Sequence, residues 1–142
     1  MIIITMVIHS AITYLLIHLN NSKSITWISR LRNYNLVWLT IIAIIIFCTT
    51  VIESMIWAMS YLYVGAIGSL EKALYFSIVT FSTLGYGDII LSDQWRLLSS
   101  IQAVNGIIIL GWSTAILITT VQNLHKKWKT KDNSIGEKQM LN

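Results

Sequence analysis

The sequence has no proline, one cysteine and only six acidic residues in 142. A single cysteine excludes a disulfide scaffold within the chain. Charged residues make up 11% of the chain, against roughly 25% in soluble domains. The mean hydropathy of +0.67 and the 55% apolar content exclude a disordered chain. Since the apolar residues fall in long runs, the composition predicts an all-α membrane protein.

Three apolar runs are long enough to predict transmembrane helices: 1–19, 36–65 and 96–124. A basic connection at 20–35 and a short basic tail at 125–142 complete the predicted organisation. The first run is also open to interpretation as a signal peptide. It has no basic segment before it and no small-residue cleavage site at its end, which favours a helix that stays in the protein.

A fourth apolar run, 70–82, is too short to cross a membrane. About a dozen helical residues reach only ~18 Å, whereas the hydrocarbon core is ~30 Å thick. The run therefore predicts a re-entrant half-helix, enclosed by protein or lined by water. In the second run, Trp38 and Trp57 lie 19 residues apart, or about 28 Å along a helix, which predicts one tryptophan at each membrane interface.

The lysine and arginine distribution predicts the orientation. The connection 20–35 carries three basic residues and no acid, and the tail carries five lysines against two acids. The stretch 61–96 has two basic and three acidic residues. Positive charge marks the cytoplasmic side, so the connection and the C-terminus are predicted to be cytoplasmic. The stretch 61–96 and the N-terminus are then outside.

The outward-facing stretch contains the sequence Thr-Leu-Gly-Tyr-Gly-Asp at 83–88. Gly85 and Gly87 can adopt positive φ without a Cβ clash, and alternating backbone handedness lets successive carbonyls point the same way. Four such loops around an axis would stack rings of carbonyl oxygens that replace the water shell of a monovalent cation. A plain glycine-rich loop is the alternative, but it leaves the preceding short helix unexplained.

Residues 73–88, Ala-Leu-Tyr-Phe-Ser-Ile-Val-Thr-Phe-Ser followed by Thr-Leu-Gly-Tyr-Gly-Asp, resemble the pore helix and selectivity filter of potassium channels. The family filter usually has valine where this chain has Leu84. The family pattern of outer helix, pore helix, filter and inner helix covers residues 36–124. The whole chain also resembles small bacterial ion-channel proteins that have one extra helix before the pore unit.

The resemblance implies potassium coordination by the backbone carbonyls of Thr83, Leu84, Gly85 and Tyr86, together with the Thr83 hydroxyl. Gly87 would complete the filter. The implied positions beside the filter are an outer-mouth acid at Asp88 and filter support from Tyr75, Phe76 and Thr80. Some relatives have a pore-helix glutamate where this chain has Val79.

Other polar residues and glycines in the predicted spans are candidate functional positions. Gly106 and Gly111 are candidate gating hinges in the inner helix, with close helix packing as the alternative. Asn105 and Ser113 are predicted to line the cavity because a polar side chain in hydrocarbon is costly. Glu53 is an intramembrane acid that either bonds a neighbouring helix or senses protons.

These observations predict a homotetrameric, potassium-selective channel in a cell membrane, the bacterial inner membrane by the resemblance. The alternatives are a non-selective monovalent cation channel and a non-conducting auxiliary or scaffolding subunit. The sequence contains no phosphate-binding loop, metal-ligand cluster or nucleophile–base set, so enzymatic activity is not predicted. Permeant K⁺ ions are the expected ligand, no cofactor or nucleic acid is expected, and the basic tail is expected to attract anionic lipid.

Overall fold

The computed structural model describes residues 1–21 and 34–140, and the described chain is helical apart from its connecting loops. Its four helices are α1 (Ile2–Asn21), α2 (Tyr34–Tyr63), α3 (Leu70–Phe81) and α4 (Arg96–Met140). Two segments are long and apolar enough to cross a membrane, Leu36–Tyr63 and Arg96–Asn123, whereas the apolar part of α1 is shorter. The all-helical fold agrees with the sequence prediction. Most of the predicted basic connection, residues 22–33, lies outside the described residues.

The helix boundaries match the predicted organisation except at the C-terminal end. The predicted pore helix at 70–82 corresponds to α3, which ends one residue earlier. The predicted tail at 125–142 is wrong in one respect, because α4 continues as helix through to Met140. The physical reason is that lysine is a good helix former and the tail has no proline to stop the helix.

The start of α3 follows from its capping sequence. Ser69 is the N-cap residue, with an extended backbone, and its hydroxyl accepts a hydrogen bond from the Lys72 amide. Glu71 adds a negative charge to the first turn, where the helix dipole favours it. The short helix therefore has a defined beginning at the surface of the protein.

Helix α1 packs against both membrane-length helices and runs parallel to α4. Near its start, Thr5 contacts Asn105 of α4. Farther along, Leu16 shares an apolar cluster with Ile42 of α2 and Ile116 of α4. Since residue numbers rise together along α1 and α4, the N-terminus of α1 lies at the same end of the molecule as the N-terminus of α4.

The principal core lies where α2, α3 and α4 meet. Trp57 and Tyr61 of α2 pack with Phe76 and Phe81 of α3 and with Ile109 of α4. The sequence predicted Trp57 at a membrane interface, and its depth in the membrane stays a prediction. Its side chain is only 1% exposed, because α3 and its flanking segments pack over this part of α2 and enclose the indole.

A buried hydrogen-bond network holds the three helices of this core together. The Gln102 amide donates to the Ser77 hydroxyl at 2.7 Å and to the Ser77 carbonyl at 3.1 Å. Its oxygen accepts from the Tyr61 hydroxyl at 2.6 Å. Gln102 is fully buried, so one side chain on α4 joins α2 and α3. Gln102 was not among the predicted functional positions, although a glutamine inside an apolar span is itself a signal of such a role.

Gln102→Ala is expected to lower the free energy of unfolding by about 2–4 kcal/mol, since it creates a cavity and leaves the buried Tyr61 hydroxyl without its partner. Thermal melting of the purified protein in detergent measures this loss. Gln122→Ala is the matched control, because Gln122 is exposed on the same helix. Equal melting temperatures for the two variants would contradict the stabilising role of the network.

Candidate functional site: the loop between α3 and α4

The loop that carries residues 83–88 leaves α3 through a specific C-terminal motif. The Leu84 amide donates to the Val79 carbonyl at 3.0 Å, and the Thr83 amide donates to the Thr80 carbonyl at 3.0 Å. This pair of bonds is the Schellman motif, in which the residue after the cap is left-handed and usually glycine. Here that residue is Thr83, with φ +62°. A β-branched residue in this conformation is strained.

Left-handed backbone recurs at every second residue of the loop. Gly85 has φ +52° and Gly87 has φ +77°, while neither Leu84 nor Tyr86 has positive φ. The positive φ at both glycines is as the sequence predicted. The same conformation at Thr83 was not predicted, since threonine disfavours it. Residues 83–88 therefore form a ribbon in which the backbone alternates. Thr83, Gly85 and Gly87 have left-handed backbone, and the residues between them do not have positive φ.

The side chains of this ribbon are exposed in the single chain. Leu84 is 58% exposed and Tyr86 is 67% exposed. Tyr75 and Ile78, on the adjacent helix α3, are exposed as well. Contiguous exposed apolar side chains of this kind mark surfaces that bind other proteins or lipid. Within one chain, the Leu84 and Tyr86 side chains are therefore largely uncovered.

Two of the three predicted support residues lie next to the ribbon. Hydrogen bonding to the Asp88 carboxylate raises the pKa of the Tyr75 hydroxyl, so Asp88 lies beside Tyr75 and favours its protonated form, which can donate. Thr80 offers its backbone carbonyl to the amide of Thr83. Both contacts link α3 to the ribbon, one at each end of it.

The third predicted support residue, Phe76, faces the interior of the protein. Its ring packs edge-on against Tyr61, with 5.1 Å between ring centroids and an interplanar angle of 85°. Phe76 therefore supports the ribbon only through the position of α3. The prediction that Phe76 lies beside the filter is therefore corrected, because its ring is buried against Tyr61 of α2.

The two candidate hinge glycines have different surroundings. A Cβ at Gly106 would collide with the carbonyl oxygen of Phe81 and would lie 2.9 Å from its carbonyl carbon. Nothing lies within 4 Å of a Cβ built at Gly111. Helix α4 is continuous through both residues. For Gly106 the structure favours close packing, because the C-terminus of α3 contacts α4 at this glycine, which has no side chain to keep the two helices apart.

The predicted cavity residues Asn105 and Ser113 are instead buried against α1. Asn105 donates to the Thr5 hydroxyl at 2.9 Å, and the Ser113 hydroxyl lies 3.4 Å from Nε2 of His9. This corrects the prediction that they line a cavity. The reason is that α1 supplies polar partners, which the sequence alone could not assign to them.

Glu53 contacts a neighbouring helix. The sequence left open whether this acid bonds another helix or senses protons, and the structure shows a bond to another helix. Its Oε1 lies 3.2 Å from Nδ1 of His9. Both side chains are buried. His9 was not predicted as a partner, although a histidine inside an apolar run is an unusual residue that signals such a role.

Comparison with protein-family models matches residues 34–123 to the ion channel family. The match begins at the first residue of α2 and includes α3, the ribbon and the membrane-length part of α4, while α1 lies before it. No curated protein and no solved structure gives a match. Because the family match covers most of the sequence and includes the loop described above, the chain belongs to the ion channel family.

Proposed function

We propose that four copies of this chain form a potassium-selective channel in the cell membrane. The observation that carries the proposal is the ribbon at 83–88, with left-handed backbone at Thr83, Gly85 and Gly87. It follows a short helix and lies between two membrane-length helices of an ion channel family member. Each chain has one such ribbon in its matched region, so a closed ring needs several copies.

The ribbon is suited to replace water around a potassium ion. Carbonyl oxygens of residues 83–86, repeated by fourfold symmetry, would form stacked rings that coordinate the dehydrated ion. Glycine at two positions permits the backbone to alternate without a Cβ penalty. Ions then move by mutual repulsion between neighbouring rings. Leucine in place of the family's usual valine at position 84 changes only the side chain, so the backbone carbonyl needed for these rings is still present.

The contact between Phe81 and Gly106 supports a re-entrant position for α3. Gly106 lies ten residues after the start of α4, which is about 15 Å along the helix axis. The C-terminus of α3 therefore reaches well into the depth that α4 spans. A helix C-terminus carries partial negative charge, so this end of α3 favours a cation in the centre of the pore.

The direction of α1 supports the proposed membrane orientation. Because α1 runs parallel to α4, its N-terminus lies at the end of the molecule where α4 begins and to which the ribbon returns. With α1 as a third crossing, the basic connection and the basic C-terminal segment fall on one side. By the positive-inside rule that side is the cytoplasm, where the lysines would attract anionic lipid.

Flux from proteoliposomes tests this function. Vesicles loaded with K⁺ and diluted into Na⁺ medium should show K⁺ efflux, measured by an ion-selective electrode, that requires the protein. Vesicles with the gradients exchanged should show far slower Na⁺ efflux. Equal rates for the two ions would favour a non-selective cation channel. Absence of flux from intact tetramers would favour an auxiliary or scaffolding subunit.

Tyr75→Phe removes the hydroxyl that contacts Asp88, so the outer end of the ribbon loses one of its supports. We expect the K⁺ current to decay faster during sustained conduction, while its initial selectivity is retained. Macroscopic recordings from patched proteoliposomes measure the decay. Tyr63→Phe is the matched control, because Tyr63 is 92% exposed at the end of α2. Identical decay in both variants would argue against this support.

A further inference from the structure

Helix α1 is held to α2 and α4 by a set of buried polar contacts. His9 lies between Glu53 of α2, at 3.2 Å, and Ser113 of α4, at 3.4 Å. One turn earlier, Thr5 accepts from Asn105 of α4 at 2.9 Å. We call these five residues the α1 brace. Burying a carboxyl and an imidazole is costly unless they are paired, so these pairs set how α1 sits against α2 and α4.

The brace contacts α4 on both sides of Gly106 and Gly111. Asn105 directly precedes Gly106, and Ser113 lies two residues after Gly111. The contacts are eight residues apart, or about 12 Å along the helix. Trp112 adds an edge-on contact with the His9 ring, at 5.4 Å between centroids and 68° between planes. Glycine lowers helix stability locally, so α1 supports the part of α4 that contains Gly106 and Gly111.

The brace also contains polar atoms with no hydrogen-bond partner among the described residues, namely Oε2 of Glu53 and Oδ1 of Asn105. Buried polar atoms of this kind are rare in stable proteins and call for an explanation. A second arrangement of α1 against α4, in which these atoms are paired, would provide one. Two discrete packings of neighbouring helices are a recurring basis of conformational switching.

From these contacts we infer that α1 is a gating element. The brace stabilises one of two positions of α4, and thereby sets the fraction of time for which the pore is open. The inference rests on the proposed function, since it concerns the opening of the same pore. It assigns a role to a helix that precedes the family match, and it places that role away from the ribbon.

Three substitutions each remove or weaken one contact of the brace with little change in volume: Thr5→Val, Glu53→Gln and Ser113→Ala. Ser10→Ala is the matched control, because the Ser10 hydroxyl bonds only the Val7 carbonyl within α1. Single-channel recording in planar bilayers measures the open probability of each variant. Size-exclusion chromatography and thermal melting establish that each one is assembled and folded.

The three brace variants are expected to shift the open probability in the same direction, each by at least about fivefold, since each loses or weakens a buried hydrogen bond. The control should stay within about twofold of the unmodified protein. Selectivity for K⁺ should not change, because the ribbon is intact. Unchanged open probability, with or without a lower melting temperature, would overturn the inference, as would shifts in opposite directions. Failure of the unmodified protein to conduct would count instead against the proposed function.

Discussion

Gly85→Ala and Gly87→Ala are each expected to abolish the preference for K⁺ over Na⁺. Both glycines have left-handed backbone, at φ +52° and +77°. A Cβ in this conformation costs about 1–2 kcal/mol per residue, and the cost arises in every subunit. The ribbon would relax to another conformation and displace the carbonyl rings. The measurement is the reversal potential with K⁺ on one side of the membrane and Na⁺ on the other, which should move towards zero.

Gly65→Ala is the control for this experiment. Gly65 also has positive φ, at +71°, but it lies in the turn after α2 and not in the ribbon. Its substitution carries a similar backbone cost and should leave the reversal potential where it is. Loss of selectivity in all three variants would indicate general destabilisation. Full selectivity in both ribbon variants would be incompatible with the coordination scheme.

Gly106→Ala is expected to prevent α3 from docking on α4. The new methyl group would meet the carbonyl group of Phe81, and backbone atoms cannot move aside as a side chain can. Overpacking costs about 1–3 kcal/mol and sometimes more, and here it displaces the helix that carries the ribbon. We expect a marked fall in melting temperature and in the yield of the proposed tetramer, measured by thermal melting and size-exclusion chromatography.

Gly111→Ala separates packing from helix flexibility. No atom lies within 4 Å of a Cβ at this position, and alanine is favoured over glycine in a helix by about 1 kcal/mol. This variant should therefore be at least as stable as the unmodified protein. If Gly106→Ala were equally stable, the close contact between α3 and α4 would not be a requirement of the fold.

The features that depend on local chemistry could be predicted from the sequence. The boundaries of α3 followed from an apolar run of limited length, and the positive φ of Gly85 and Gly87 followed from their missing Cβ. Thr83 was beyond such reasoning. Its left-handed backbone is imposed by the hydrogen bonds that end α3, and the residue type argues against that conformation.

The features that depend on which helices pack together could not be predicted. Asn105 and Ser113 were expected to face a cavity because a polar residue in a span needs water or a partner. Both side chains do have a partner, but that partner is α1, whose position no local pattern encodes. The burial of Trp57 was not predicted for the same reason, since α3 and its flanking segments cover its side chain.

The ribbon at 83–88 is proposed to replace the hydration shell of a permeating potassium ion. The decisive measurement is a crystal structure of the proposed tetramer with Tl⁺ in place of K⁺, because Tl⁺ is located by its anomalous scattering. We expect a row of anomalous peaks on the fourfold axis, between the carbonyl oxygens of Thr83, Leu84, Gly85 and Tyr86. Ribbons that lie apart, with no peak between them, would contradict it.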